Sequence, residues 1–302
     1  MEIEKRNIPL QVSPNRPTQN YAPNWDKAQA WITSVKNQYR NDSKEGQVAQ
    51  KAIDNIQYIS MEIFDKQLTF CVQKLNDLLK KNQHPDFSVG IVCGKSNQWV
   101  TSLALKDLDY LPSSWFSLGS KQGTIDSKAP TAEFDMAHVK EETIVLFDDC
   151  SYTGTQLMDN LKRIKDNSGE KKRHVYVVIP FMSKDAQQQA KSFATTEKFE
   201  LEIITTNETI KQGNEIFDFN NGEMKILQNL NYNARAAIGP TFTLCYTAWR
   251  LPDAASFLHQ FGTEKMARFV QMNGKEKELV YLKEEEAFLP LSIRRPYEIQ
   301  NS

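Results

Sequence analysis

From Phe87 onward, short apolar runs alternate with helical segments, and that alternation narrows the fold more than any other feature of the chain. The runs at 87–93, 143–147, 174–179 and 201–205 read as buried strands. Helical patterns fill about 97–108, 155–167 and 184–195 between and after them. Strands that alternate with helices predict an α/β fold, a parallel sheet flanked by helices, because parallel neighbours need crossover connections. In such sheets ligands gather at the carboxyl ends of the strands. The loops after Cys93 and Phe147 are therefore where chemistry is expected.

The regions outside this core read differently. Residues 1–23 are polar, hold four prolines and show no periodicity, so they read as an extended arm. Residues 24–84 read as a helical N-terminal extension: one helix at about 24–40 and a long helical stretch at 44–82. In that stretch Ile56, Ile59, Ile63, Cys71, Leu75 and Leu78 fall on one face, as core packing requires. The α/β core spans 85–210, and 211–302 forms a mixed α+β hood. Within the hood, 267–282 reads as a hairpin turning at Asn273-Gly274. The stretch from Asp109 to Lys140 shows weak periodicity and reads as a long loop, of the kind that is mobile or functional.

Composition removes several classes of function. A formal net charge of −1 gives no general attraction for nucleic acid or an anionic membrane. Cys71, Cys93, Cys150 and Cys245 include no C-x-x-C pair, and the four histidines do not cluster with them, so a structural zinc site is not expected. So few cysteines in a chain this long suit a reducing cytoplasm. The N-terminus has no apolar run like a signal peptide, and no stretch reaches the roughly 18 apolar residues of a spanning helix.

The segment Thr143 to Leu157 carries the chemistry. An apolar strand ends in two adjacent carboxylates, Asp148 and Asp149. The hydroxyl-rich loop of Cys150, Ser151, Tyr152, Thr153 and Gly154 follows, and a helix begins at about Thr155. Such a loop presents backbone N–H groups and the hydroxyls of Ser151, Thr153 and Thr155 to one point, and the helix N-terminus adds partial positive charge. That suits a phosphate dianion. Gly154 lets the backbone approach closely and accepts positive φ. The carboxylates repel phosphate but accept hydrogen bonds from a vicinal diol, and they can sit near a magnesium ion. Diol acceptors beside a phosphate cradle describe a ribose 5-phosphate site.

At this point the chain resembles the type I phosphoribosyltransferases, whose signature runs from four apolar residues through two acidic residues to Thr-Gly with further hydroxyls. Ile144 to Phe147, Asp148, Asp149, Thr153, Gly154 and Thr155 match it, and the resemblance covers roughly 86–206. The resemblance implies that Asp148 and Asp149 bind the ribose hydroxyls of phosphoribosyl pyrophosphate, act in catalysis and lie near Mg²⁺. It implies that Ser151, Tyr152, Thr153, Gly154 and Thr155 hold the 5-phosphate. It also implies that the loop of Gly94, Lys95 and Ser96 grips pyrophosphate, and that a mobile segment closes over the site. Residues 117–128, with Lys121 and Lys128, are the candidate for that segment. Two positions depart from the family: Gln156 stands where many members have a hydroxyl, and Tyr152 stands where purine-salvage members have an acid.

Two other phosphate motifs fail. A P-loop ending at Gly94-Lys95-Ser96 would need glycine at Val89, and a haloacid dehalogenase site would need aspartate at Cys150 or Ser151. The expectation is a cytoplasmic, Mg²⁺-dependent phosphoribosyltransferase with an unassigned acceptor. It would bind phosphoribosyl pyrophosphate or a nucleotide-like molecule and form a homodimer, with no nucleic-acid or membrane partner. The rival is a non-catalytic protein of the same fold that senses such a compound or docks a protein. Trp249, in Thr247-Ala248-Trp249-Arg250, reads as a core residue in preference to a base-stacking one.

Overall fold

The computed structural model describes residues 25–40, 42–92, 96–119, 134–169, 171–198, 200–206, 221–230, 245–249, 267–272 and 276–281. The chain divides into two compact units, one over Phe64–Thr209 and the other combining Gln19–Ile63 with Ile210–Ser302.

The first unit is built on a six-stranded sheet. Its strands are β2 (Phe87–Ile91), β3 (Ser114–Leu118), β4 (Phe134–Asp135), β5 (Thr143–Phe147), β7 (His174–Val178) and β9 (Glu200–Ile204). They lie in the order β4-β3-β2-β5-β7-β9. Five run parallel, and β4 joins antiparallel at the edge. Ile144, Leu146, Val175, Val177, Phe116 and Leu118 point to one face, where α5 (Thr155–Asn167) and α6 (Lys184–Thr196) bury Leu157, Leu161, Ile164, Ala186 and Ala190 against them. The alternate residues Phe87, Val89, Val145, Phe147, Tyr176 and Val178 are also buried, on the opposite face. Phe64 of α3 (Met61–Lys81) meets Trp99 of α4 (Ser96–Ala104) and Phe181. Burial on both faces is why these strands are continuous apolar runs in sequence.

The amino ends of the strands are held by one carboxylate. Glu141 Oε2 accepts from Ser88 Oγ at 2.5 Å, Ser114 Oγ at 2.8 Å and Lys140 N at 3.2 Å, joining β2, β3 and the approach to β5. Burial pushes the Glu141 carboxyl up, but these hydrogen bonds outweigh it and leave it below its ordinary value. The buried Arg173 guanidinium donates to the carbonyls of Glu141 and Val139.

The second unit joins the two flanks of the core. Helix α1 (Trp25–Tyr39) and α2 (Lys44–Asp54) bury Trp31, Ile32, Val35, Val48 and Ala49. Lys51 of α2 pairs with Glu223 of α7 (Asn221–Leu230) at 3.6 Å. Strand β1 (Gln57–Ile59) pairs in parallel with β10 (Cys245–Thr247), and Ala248 N donates to Ile59 O at 2.9 Å. Trp249, just beyond, is 3% exposed, as a core residue should be. Strands β11 (Ala267–Met272) and β12 (Glu276–Tyr281) form the expected antiparallel hairpin, and its turn at 273–275 lies outside the described residues.

Two expectations need correction. The long helix at 44–82 is broken. The Asn55 side chain donates to Lys51 O at 2.8 Å and closes α2, β1 intervenes, and Ser60 Oγ accepts from Ile63 N at 3.2 Å to start α3. The buried stripe of α3 is Phe64, Leu68, Cys71, Val72, Leu75 and Leu79, while Ile63 is exposed and Leu78 only half-buried. The stretch from Asp109 to Lys140 is not one loop, because it contains β3 and β4. Ser114 and Ser117 hide β3 from an apolar-run search, and Ser114 is satisfied by Glu141. Ser117, the start of the candidate closing segment, is a strand residue; Lys121 and Lys128 lie outside the described residues.

Candidate functional site

The strand order fixes where a site can form. β2 has β3, its successor among the parallel strands, on one side and β5 on the other, so the chain reverses its direction of travel between β2 and β5. Loops leaving the carboxyl ends of two such strands diverge and leave a crevice. The loop after β2 holds Gly94, Lys95 and Ser96, and the loop after β5 begins with Asp148. Gly94 and Lys95 lie outside the described residues; Ser96 opens α4.

Among the described residues, a hydrogen bond from Ser96 joins the two loops. Ser96 Oγ donates to Asp148 Oδ1 at 2.7 Å. The same oxygen accepts from Asp149 N at 3.0 Å, and Gln156 Nε2 donates to Oδ2 at 3.5 Å. Asn97 ties the start of α4 to the end of β2: its Oδ1 accepts from Val92 N at 2.9 Å and its Nδ2 donates to Gly90 O at 3.3 Å. Asp149 is buried and Asp148 half-buried. Burial raises the Asp148 carboxyl well above its ordinary value, and the adjacent Asp149 charge raises it further, against the lowering pull of Ser96.

The rest of the loop is moored to the neighbouring element. β6 (Cys150–Ser151) pairs in parallel with β8 (Phe181–Met182), Ser183 N donates to Ser151 O at 3.0 Å, and Ser183 Oγ donates to Tyr152 O. Asp148 N donates to Val178 O at 3.1 Å. Gly154 then turns the chain with φ +75° into α5, where Met158 N donates to Gly154 O at 2.8 Å. Thr153 Oγ1 lies 3.0 Å from Thr155 Oγ1 and accepts from Thr155 N at 3.3 Å.

Helix starts differ across the molecule. Ser43 caps α2 and Ser183 caps α6 through their hydroxyls, each accepting from an N–H three residues on. α5 starts at Gly154, which has no side chain to serve as a cap. The N–H groups in its first turn have no intrahelical acceptors and carry the positive end of the helix dipole. They stand beside the Thr153 and Thr155 hydroxyls, which suits an anion with several oxygens.

Ser96, Asp148, Asp149, Ser151, Tyr152, Thr153, Gly154 and Thr155 thus all lie in or against one loop system at the carboxyl end of the sheet. Gln156 belongs with them, although the sequence marked it only as a departure. Its reach to Asp148 across one turn of chain follows from helix α5 starting at Thr155. Among the described residues, no three His, Cys, Asp or Glu side chains converge as a metal cage. Two adjacent carboxylates are the donor set that Mg²⁺ uses when substrate oxygens complete its shell, so the residues present fit that ion.

The family described as PRTase-CE matches residues 29–273. Among solved structures, a Helicobacter pylori xanthine-guanine-hypoxanthine phosphoribosyltransferase is 15% identical, with 51% of this chain and 88% of that chain covered and a TM-score of 0.30. A Staphylococcus aureus hypoxanthine phosphoribosyltransferase is 14% identical, with 51% and 81% covered and a TM-score of 0.30. A Bacillus anthracis hypoxanthine-guanine phosphoribosyltransferase is 14% identical, with 40% and 70% covered and a TM-score of 0.28. No curated protein matches the chain. No helix among the described residues is long and apolar enough to cross a membrane.

Proposed function

We propose that this chain, which belongs to the PRTase-CE family, binds the ribose 5-phosphate part of phosphoribosyl pyrophosphate between β5 and α5 and transfers the phosphoribosyl group to an acceptor. One observation carries the reading. Two adjacent carboxylates and the start of α5, eight residues of chain or fewer apart, sit at the crevice between β2 and β5. A carboxylate pair and a phosphate cradle at that spacing suit the diol and the 5-phosphate of one ribose.

The division of labour follows from the chemistry. Asp148 and Asp149 accept hydrogen bonds from the 2- and 3-hydroxyls and orient the ring. Ser151, Thr153, Thr155 and the first N–H groups of α5 take the 5-phosphate, with Tyr152 and Gly154 shaping the loop that holds it. By its place in the sequence after β2, the loop of Gly94 and Lys95 would supply backbone N–H groups and positive charge for pyrophosphate as it leaves. Asp148 and Asp149 are the residues that would hold Mg²⁺, which supplies neutralisation of the pyrophosphate charge. Charge that develops on the ribose as the bond to pyrophosphate lengthens is positive, and carboxylates bound to its hydroxyls would favour it. The proposed setting is the cytoplasm, with a homodimer as the assembly.

The test is calorimetric titration of the full chain with phosphoribosyl pyrophosphate and Mg²⁺, beside Asp148→Asn/Asp149→Asn, followed by an acceptor screen read by pyrophosphate release. Micromolar-range binding that the double variant loses supports the site, and pyrophosphate release supports the transferase. Binding without release for any acceptor assigns the sensor role instead. No binding of phosphoribosyl pyrophosphate, ribose 5-phosphate or nucleoside monophosphates overturns the reading.

A further inference from the structure

One carboxylate in the site is held from three directions. Asp148 receives three hydrogen bonds: from the Ser96 hydroxyl, the Asp149 N–H and the Gln156 amide. They come from the start of α4, the strand-end backbone and the first turn of α5. Both carboxylate oxygens are engaged, so rotation about the Asp148 side chain is opposed from two sides.

Ser96 has a single hydroxyl proton, and the structure directs it to Asp148. A hydroxyl so committed can offer an anion only lone pairs, which repel it. Its side chain therefore acts through Asp148, whatever the Ser96 backbone N–H does. Gln156 has an uncharged donor at the same carboxylate. A lysine there would form an ion pair and compete with the ligand for Asp148. A glutamate would add a third negative charge beside Asp148 and Asp149. An amide can hold the carboxylate without neutralising it.

The geometry points to Ser96 and Gln156 as positioning residues that fix the Asp148 carboxylate for a vicinal diol, and so set selectivity for ribose 5-phosphate over 2-deoxyribose 5-phosphate. This inference rests on the ribose-phosphate reading above. The energetic logic is pre-organisation. A carboxylate already held in its binding orientation loses less rotamer freedom when the sugar arrives. The benefit is confined to a ligand that uses that carboxylate. With Asp148 taking the 2-hydroxyl and Asp149 the 3-hydroxyl, the 2-deoxy sugar lacks the group that Asp148 would bind, so it collects none of the benefit, and a phosphate held by Thr153, Thr155 and α5 likewise collects none.

The experiment is calorimetric titration of the full chain with ribose 5-phosphate and with 2-deoxyribose 5-phosphate, in the natural protein, Ser96→Ala, Ser96→Thr, Gln156→Met and Asp148→Asn. Thermal unfolding is recorded for each variant. The natural protein should prefer the ribose compound. Ser96→Ala should lose about tenfold in affinity for it, as expected for a hydrogen bond to a charged acceptor. Its affinity for the deoxy compound should change less than about twofold, and Ser96→Thr should restore selectivity. Gln156 is exposed, so Gln156→Met tests the longer, weaker bond without threatening the fold; about a threefold loss is expected, again on ribose only. Equal losses on both sugars, or no loss in Ser96→Ala and Gln156→Met, overturn the positioning role while leaving the ribose-phosphate reading intact. Failure of the natural protein to bind either sugar phosphate overturns both.

Discussion

Gly154 and Ala186 pass so close that a Cβ on the glycine would lie 3.1 Å from Ala186 Cα and 3.3 Å from Ala186 Cβ. The glycine also holds φ at +75°. Position 154 therefore excludes a side chain twice, by backbone strain and by the α6 backbone. Gly154→Ala should destabilise the protein by roughly 2–5 kcal/mol, adding about 1–2 for the left-handed conformation to about 1–3 for overpacking. Urea unfolding measures the loss. Phosphate affinity should fall in the same variant, because the start of α5 must move away from α6.

Asp148 provides a prediction in the opposite direction. Its carboxyl is raised by burial and by Asp149, so the folded state holds its proton more tightly than the unfolded chain does. Stability is then undiminished below the unfolded value and falls as pH rises from there through the raised folded value. Asp148→Asn removes that penalty. In thermal unfolding from pH 4 to 8 without ligand, the variant should gain on the natural protein as pH rises, by about 2–4 °C per kcal/mol relieved. The same substitution should abolish ribose 5-phosphate binding, so the site lowers stability to keep its charge.

Glu141 shows the reverse linkage at the other end of the sheet. Its carboxyl is held below the ordinary value of 4.5 by Ser88, Ser114 and backbone N–H groups, despite the upward push of burial. The stabilisation is present above the unfolded value and disappears as pH falls through the lowered folded value. Glu141→Gln should cost about 1–2 kcal/mol at pH 7, since Ser88 and Ser114, 2.6 Å apart, can still bond each other. Between pH 5 and pH 3 the difference from the natural protein should shrink, which acid unfolding curves of the two proteins will measure.

Asn97 tests how the turn after β2 is held. It is 3% exposed and satisfies Val92 N and Gly90 O, which no other side chain is seen to reach among the described residues. Asn97→Ala should cost about 1–3 kcal/mol, chiefly by leaving the Val92 N–H without its side-chain acceptor. Asn97→Asp keeps the acceptor for Val92 N but loses the donor and buries a charge, so it should be no better. Chemical denaturation of the two variants checks the order.

The sheet was readable because its strands are covered on both faces. In β5 and β7 every residue from Ile144 to Phe147 and from Val175 to Val178 is buried, which leaves an uninterrupted apolar run. Helix α5 was legible for a different reason: Gly154 marks its start, and Leu157, Leu161 and Ile164 keep a helical step. β3 was missed because Ser114 and Ser117 interrupt its apolar residues, and the partner that satisfies Ser114, Glu141, lies far along the chain. The break after α2 was missed because it depends on Asn55 and Ser60 capping, which a long apolar stripe masks. The loop between β5 and α5 stood out as a local pattern. The bond from Ser96 to Asp148 did not, because it exists only once β2 and β5 lie side by side.

The pairing of β1 with β10 has a consequence for synthesis on the ribosome. Gln57 finds its strand partner only when Cys245 has been made, whereas every strand of the six-stranded sheet is complete by Ile204. Domains made earlier fold earlier during translation. The sheet and its crevice can therefore assemble while β1 still waits, with its N–H and C=O edge unprotected. A nascent chain halted between Ile204 and Cys245 should carry a folded core and an unfinished second unit, the stage at which a chaperone has most to shield.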